Sequence, residues 1–203
     1  MSDARRRTFT EEARRRQIID CTIELVAERG PAAASLAAIA ARARISKAAV
    51  LYHFASKDAV FDATMHHVIT SYAAAVGQRV DAAGGPEEML VAYLRGTIAY
   101  MRDHPAQVRV IVEGLARDPE LAPGSPGQAS RWQAVAGILA QGQQAGVFRA
   151  FDTHTLALMI NGALDGVVAE WIGSTDLDLD VAAAELETAV LLAVGAPGRE
   201  RSA

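Results

Sequence analysis

The sequence predicts an all-α protein, and three observations lead to this prediction. Alanine, the residue that enters a helix at least cost, occupies 42 of the 203 positions. Valine, isoleucine and threonine rarely show the alternation with polar residues that half-buried strands require. Glycine and proline separate long stretches in which apolar residues recur at helical spacing. With 51% hydrophobic residues, the chain can bury a sizeable core as one domain or two small ones.

Four helices are predicted before residue 86, after a basic arm at residues 1–9. Each begins at a residue whose side chain can cap a helix, and the first and fourth end where glycine and proline break a helix. The predicted N-caps are, in order, Thr8 or Thr10, Ser35, Ser46 and Ser56. The predicted ends are Gly30-Pro31, Arg44-Ile45, Phe54 and Gly84-Gly85-Pro86. The second and third helices are therefore short, and the first and fourth are long.

Five further helices bring the predicted total to about nine. The apolar spacing places them at 86–103, 106–117, 127–145, 153–173 and about 180–194. Residues 118–127 hold three prolines and two glycines, which indicates an irregular connection. No internal sequence repeat with the period of a solenoid protein is visible.

Charge is distributed unevenly along the chain. Residues 1–57 hold 11 Lys and Arg against 6 Asp and Glu, a balance of +5, whereas residues 58–203 hold 9 against 18, a balance of −9. The two lysines, Lys47 and Lys57, both lie in the basic part. This asymmetry indicates a polyanion-binding end joined to a different part, although an Arg-rich terminus can also be merely solvated.

Several classes of protein are disfavoured. A lone Cys21 excludes a disulfide framework and a cysteine zinc cluster. No apolar run approaches the ~20 residues of a membrane span, so we expect a cytoplasmic protein with no membrane partner. His66 and His67 point in different directions on a helix, and Asp165 has no evident base or nucleophile. We therefore expect no metal site, no cofactor and no enzymatic activity.

Residues 35–57 have the dimensions of a helix-turn-helix, reading SLAAIAARARISKAAVLYHFASK. In this motif the second helix enters the major groove of DNA while the first crosses the backbone. The side chains expected to face inward are Leu36, Ile39, Ala40, Ile45 and Val50. Those left to face outward are Ser46, Lys47, Ala48, Ala49, Tyr52 and His53.

This region resembles the DNA-binding region of the TetR family of bacterial transcriptional regulators. The matching residues, in the family's order and spacing, are Gly30, Ser35, Ile39-Ala40, Ile45-Ser46-Lys47, Tyr52-His53-Phe54 and Ser56-Lys57-Asp58. Two positions depart from the family pattern: Arg44 stands where glycine is usual, and Leu51 where tyrosine is usual. The resemblance implies a helix-turn-helix DNA-binding domain over 1–57 and a helical ligand-binding and dimerisation domain over 58–203.

The resemblance also implies which residues contact DNA. Family base-reading positions fall on Lys47, Ala48 and Ala49, and Lys57 matches a phosphate-binding lysine. Lys47 would make the one strong polar base contact there, and the alanines would add at most contacts with thymine methyl groups. The phosphate contact of the missing tyrosine would pass to Tyr52. The complete predicted DNA-contact set is Ser35, Arg44, Ser46, Lys47, Ala48, Ala49, Tyr52, His53 and Lys57.

The larger part is expected to bind an effector and a second copy of the chain. Flexible, polarizable methionine and large tryptophan side chains, together with a few polar ones, suit the binding of a hydrophobic small molecule. The expected lining residues are Met89, Tyr93, Met101, His104, Trp132, Val135, Leu139, Met159, Asn161, Asp165 and Trp171. Small residues at 162, 163 and 166, with apolar stripes on the last two helices, predict a homodimer surface.

The sequence therefore predicts a ligand-responsive regulator, most simply a repressor that binds a double-stranded DNA operator as a homodimer and is released by a hydrophobic effector. An activator would fit the same sequence. The alternative from another class is an all-helical enzyme or scaffold in which the helix-turn-helix is only a packing unit. Salt-dependent DNA binding discriminates between these hypotheses.

Overall fold

The structure, a computed structural model, describes residues 9–117, 126–173 and 176–195. Over these ranges it contains nine α-helices and no β-strand, which confirms the all-α prediction. The helices are α1 (Phe9–Ala33), α2 (Leu36–Arg42), α3 (Lys47–His53), α4 (Lys57–Asp81), α5 (Pro86–Asp103), α6 (Pro105–Arg117), α7 (Pro126–Gln144), α8 (Thr153–Gly173) and α9 (Leu179–Val194). The basic arm up to residue 8 and most of the connection at 118–127 lie outside the described residues.

The first helix is interrupted where the sequence predicts its end. Gly30 has φ 74° and ψ 168°, a backbone conformation that is essentially restricted to glycine, and Pro31 follows it. One further helical turn, up to Ala33, continues beyond this break. Thr10 lies inside α1 and so is not its cap, while Thr8 lies outside the described residues.

Side-chain caps fix the starts of the shorter helices. The three predicted serine caps are confirmed: Ser35, Ser46 and Ser56 accept hydrogen bonds through Oγ from backbone N–H groups three residues on, at 3.2, 3.0 and 3.1 Å. Two caps were not predicted. Asp152 accepts from the Thr155 N–H at 2.7 Å, and Asp178 caps α9 in the same manner. Hydrogen bonds from Thr155 lower the pKa of Asp152.

The N-terminal unit comprises the described residues up to Ser71 together with α6. Its core residues come from α1 to α4, and α6 adds the buried Val110. The domain boundary predicted at 57/58 lies at the start of α4, but the packing continues through Val60 and Val68, both fully buried in this core. The compact unit is therefore larger than the predicted segment 1–57.

The second unit comprises residues 72–104 and the described residues from 126 onward. Within it, α5 packs against α7, α8 and α9. The largest fully buried side chains of this core are Leu90, Leu94, Val135, Leu139, Leu164 and Val194. Tyr93 donates its hydroxyl hydrogen to Asn161 Oδ1 at 2.8 Å, and the Asn161 amide donates to the Ala157 carbonyl at 3.0 Å. These hydrogen bonds give the buried Tyr93 hydroxyl and the buried Asn161 side chain their partners.

The segment after α7 folds back on that helix at Gly142. The N–H groups of Val147 and Phe148 both donate to the Gly142 carbonyl, at 3.0 and 3.1 Å. The Phe148 ring lies where a side chain on residue 142 would stand. Phe148 also forms an isolated antiparallel bridge with Gly195, just beyond α9. A glycine is thus required at 142 by the close approach of an aromatic ring.

Helix α8 is apolar on two sides. Leu156, Ile160 and Leu164 are buried in the second unit, whereas Leu158 and Met159 are 48% and 65% exposed. By length and composition, α8 is the one described helix that could cross a membrane, although Asp165 and Glu170 interrupt its apolar run. Core helices of soluble proteins have a similar length and composition.

The fold makes a prediction about two glycines of α7. Gly142→Ala is expected to lower the free energy of unfolding by about 1–3 kcal/mol, because the new methyl group would overlap the Phe148 ring. Gly137 is exposed on the same helix, and a Cβ there would meet nothing within 4 Å. Gly137→Ala should therefore raise the free energy of unfolding by about 0.5–1 kcal/mol through helix propensity. Urea unfolding measures the free energy of unfolding of both variants. Changes of the same sign in the two variants would contradict the close approach of Phe148 to Gly142.

Candidate nucleic-acid interface

The turn between α2 and α3 is closed by a Schellman motif. The Arg44 N–H donates to the Ala41 carbonyl at 3.2 Å, and the Ile45 N–H donates to the Ala40 carbonyl at 3.0 Å. Arg44 has a φ of 54°, the left-handed conformation that glycine adopts at lowest cost. The turn thus keeps a positive φ at the position where the family usually has glycine, although an arginine stands there. The turn therefore holds a small backbone strain at an exposed arginine.

Buried side chains orient the two short helices. The predicted inward residues are buried in the N-terminal core or packed against it: Leu36, Ile39, Ala40, Ile45 and Val50. At the end of α3, Phe54 is 3% exposed, whereas Tyr52 is 73% exposed. Phe54 is thus the core aromatic, as its lack of a hydroxyl suggests.

All nine residues predicted to contact DNA lie on or beside α2, α3 and the start of α4, within the N-terminal unit. Six are exposed: Ser35, Arg44, Ser46, Lys47, Ala48 and Tyr52. Three are half-buried: Ala49, His53 and Lys57. Their contact with DNA stays a prediction.

The outward side of α3 is formed by Lys47, Ala48, Leu51 and Tyr52. These residues are exposed, and their spacing of one and four positions puts them on one side of a helix. Leu51, which stands where relatives have tyrosine, is 40% exposed. The side chains offer one ammonium group and one phenol hydroxyl, and their remaining surface is hydrocarbon.

Tyr52 and His53 contact each other and α1. The Tyr52 hydroxyl lies 3.5 Å from Glu11 Oε1, and its ring meets the His53 ring edge-on at 5.0 Å between centroids. Arg15 of α1 donates to the His53 carbonyl, and its guanidinium lies 3.9 Å from the centre of the Phe54 ring. A cation thus stands at the C-terminal end of α3, where the helix dipole favours it. Burial, with a smaller contribution from Arg15, lowers the pKa of His53.

Lys57 is held in place at the start of α4. Its ammonium group lies 3.4 Å from the Pro31 carbonyl oxygen and 5.3 Å from the centre of the Phe61 ring. The side chain is half-buried, so fewer orientations are open to it than to a fully solvated lysine.

Arg42 is basic but already paired. Its guanidinium binds Glu28 in bidentate fashion, at 2.6 and 2.5 Å, and contacts Glu24 at 3.2 Å. The hydrogen bonds from Arg42 lower the pKa of Glu28. Arg42 therefore adds little positive charge to the surface beside α3. Sequence reasoning missed both this pair and the role of Arg15, because each joins helices distant in the chain.

The paired histidines of α4 do not bring metal ligands together. In the part of the chain that the structure describes, no three His, Cys, Asp or Glu side chains form a possible metal site. The two ring nitrogens of His67 lie 2.9 and 2.6 Å from Arg16 Nη1 on α1. Burial, and then the charge of Arg16, lower the pKa of His67, so its neutral form is favoured in this contact.

The residues predicted to line an effector pocket differ widely in exposure. Five are buried: Tyr93, Met101, Val135, Leu139 and Asn161. Three are half-buried, namely Met89, Trp132 and Trp171, and three are exposed, namely His104, Met159 and Asp165. The Trp132 ring contacts the His154 ring at 4.2 Å between centroids, with the two planes tilted by 40°. An open groove at the end of α4 and the start of α5, near Arg79 and Glu88, is bordered by none of the eleven. That they share one pocket stays a prediction.

A helix-turn-helix with an exposed, capped second helix is typical of DNA-binding proteins, and comparison with known proteins shows which family this region resembles. A family profile described as "Bacterial regulatory proteins, tetR family" matches residues 18–64. The HTH-type transcriptional regulator BetI of Burkholderia ambifaria is 43% identical over 68 residues, which are 34% of this chain and 35% of BetI. The match thus spans about a third of the length of the curated relatives.

Solved structures resemble the chain over most of its length. A putative transcriptional regulator from Saccharomonospora viridis in complex with choline has a TM-score of 0.78 at 20% identity, over 91% of this chain and 99% of that one. The fatty acid degradation regulator FadR from Bacillus halodurans has a TM-score of 0.76 at 22% identity, over 87% and 97%. At these identities the likeness shows the fold alone.

The N-terminal helix-turn-helix region of this chain thus matches the tetR family of bacterial regulatory proteins, the family that its motif residues resemble. Over most of its length the chain shares the fold of these solved regulators.

The strained turn leads to a stability prediction. Arg44→Gly should raise the free energy of unfolding by about 0.5–1 kcal/mol, since glycine adopts the positive φ without a Cβ clash. Arg44→Ala keeps the Cβ and should give no such gain, which separates backbone relief from loss of the side chain. Ala41→Gly, inside α2, should lower the free energy of unfolding by about 1 kcal/mol. Urea denaturation without DNA measures all three, and a destabilised Arg44→Gly would contradict the argument.

Proposed function

We propose that this protein is a ligand-responsive transcriptional regulator that binds duplex DNA through α3 in the major groove. The observation that carries the proposal is the outward side of α3, exposed and rigidly capped within a basic tetR-family region. The matched relatives are described as transcriptional regulators, which supports the same function. We propose that the protein has no enzymatic activity and that it acts in the cytoplasm, where a DNA-binding regulator meets its operator.

The contact roles follow from position and chemistry. Lys47, at the first position of α3, is exposed and supplies a cation for the acceptor atoms of guanine or a nearby phosphate. Lys57 is held beside Pro31, so its role is a phosphate contact that positions the protein without reading sequence. Arg44, Ser35 and Ser46 border α3 and are exposed for further backbone contacts.

We propose that the second unit forms the homodimer through α8 and α9. The outward face of α8 combines Leu158 and Met159 with the exposed Gly162, Ala163 and Gly166, and small residues let another helix approach closely. On α9, Leu192 is 72% exposed and Val181 is 57% exposed. Exposed apolar faces of this kind mark interaction sites in soluble proteins. Two copies also give the two half-site contacts that a single short recognition helix cannot supply.

We propose a hydrophobic or amphipathic small molecule as effector and release of DNA as its result, which makes the protein a repressor. The effector acts only by binding the DNA-incompetent arrangement more tightly than the competent one. The similar structure from Saccharomonospora viridis, in complex with choline, supports a small-molecule ligand in this fold.

Replacement of the two lysines tests the DNA contacts. Lys57→Ala should weaken binding to all sequences alike and reduce the slope of log affinity against log salt by about 2, one phosphate per protomer of a homodimer. Lys47→Ala should weaken binding and also change the order of preferred sequences. Arg102→Ala is the matched control, because that cation is ion-paired with Asp180 in the second unit. Fluorescence anisotropy at several salt concentrations measures the effects, and unchanged slopes would reject these roles.

Charged substitutions test the dimer surface. Met159→Glu and Leu192→Glu should each yield a monomer at micromolar concentration, because the two-fold axis would bury like charges against an apolar face. Leu51→Glu, an exposed leucine of the N-terminal unit, should remain dimeric. Sedimentation velocity distinguishes the states. If the wild-type protein sediments as a monomer at micromolar concentration and still binds its operator, the proposed dimer is rejected.

A ligand screen tests the effector. Thermal shift with hydrophobic metabolites and drugs should find compounds that raise the melting temperature of the protein. A coupling free energy of about 1–3 kcal/mol predicts that these compounds weaken DNA affinity between several-fold and about a hundred-fold. If every stabilising compound leaves DNA affinity unchanged, the protein binds DNA constitutively and the effector proposal fails.

A further inference from the structure

Apart from Lys47, the outward side of α3 lacks the side chains that usually read bases. Its four members include no arginine, asparagine or glutamine, which are common partners of guanine and adenine. Lys47 is the one cation among them, and Ala48 and Leu51 offer hydrocarbon alone. Leu51 is 40% exposed, so it places apolar surface at the centre of the outward side of α3.

The major groove presents one apolar group to such a surface, the C5-methyl group of thymine. Burial of one methyl group against an aliphatic side chain removes both from water, and this transfer is favourable without any hydrogen bond. The basic balance of residues 1–57 favours a polyanion as the molecule that covers this side of α3.

We propose, resting on the DNA-binding function proposed above, that Leu51 is a specificity-determining residue that reads thymine through its methyl group. Ala48 lies one turn away on the same side and widens the apolar contact. Leu51 follows Lys47 by four residues, a rise of about 6 Å along α3, which corresponds to roughly two base-pair steps in the groove. Each half-site thus contains a thymine about two base pairs from the base that Lys47 contacts.

The tightly bound sequence is first obtained by selection from a random duplex pool with the full-length protein. Thymines in the selected half-site are then replaced one at a time by deoxyuridine, which removes the methyl group and keeps every hydrogen-bonding group. At the thymine that Leu51 reads, this replacement should weaken binding about fourfold, the value of one buried methyl group. At thymines outside the half-sites it should have no effect. Fluorescence anisotropy at fixed salt measures each affinity.

Three variants assign the effect to Leu51. Leu51→Ala should bind the thymine and deoxyuridine duplexes with affinities that differ less than twofold. Leu51→Tyr, which restores the family's usual residue, should also lose the preference. Ile69→Ala is the matched control, because Ile69 is 41% exposed in the same unit but lies on α4, and it should keep the fourfold ratio.

The outcomes separate this inference from the function on which it rests. If selection enriches no sequence and the protein does not bind DNA, the proposed function itself fails. If the protein binds a selected sequence but no deoxyuridine replacement weakens it, or if Leu51→Ala keeps the fourfold ratio, the function stands and the thymine contact is rejected. If Leu51→Ala changes the oligomeric state instead, a second copy of the chain covers this side of α3.

Discussion

The seven-residue helix α3 depends on the burial of one side of it for its existence. Isolated helices shorter than about 12–15 residues are marginal in water, so α3 cannot rely on its own backbone hydrogen bonds. Val50 is fully buried in the N-terminal core and Phe54 nearly so, which fixes the rotation of the helix about its axis. Ser46 closes its N-terminal end, and Arg15 stands at the other. Every role proposed for Lys47, Leu51 and Tyr52 depends on this anchored orientation.

Helix ends in this chain could be predicted because caps and breaks act over a few neighbouring residues. The positions of Gly30, Ser35, Ser46 and Ser56 needed no knowledge of the fold. Contacts between distant residues could not be predicted in this way. Arg15 reaches the carbonyl of a residue 38 positions away, and Tyr93 reaches Asn161 across 68 positions. No local pattern marks such partners, since their meeting depends on how whole helices pack.

Residue type alone was a weak guide in the second unit. Methionine, tryptophan and leucine suit both a core and a ligand pocket, and Leu139 and Met101 are buried while Met159 is largely exposed. A cavity forms where helices fail to fill the space between them, which side-chain chemistry does not specify. Helix α8 shows the same ambiguity, because a helix that is apolar on both sides has no periodicity to reveal which side faces inward.

The participation of α6 in the N-terminal core has a consequence for protein engineering. Val110 belongs to the same cluster as Ile18 and Val50, although the segment that carries it follows α5 in the chain. A chimaera that joins residues 1–57 to the body of another regulator would leave Val60, Val68 and Val110 behind. The transplanted DNA-binding segment would then expose apolar residues of its own core to solvent. DNA-sequence specificity is better exchanged between regulators of this kind by grafting the outward residues of α3 than by transferring residues 1–57 as a whole.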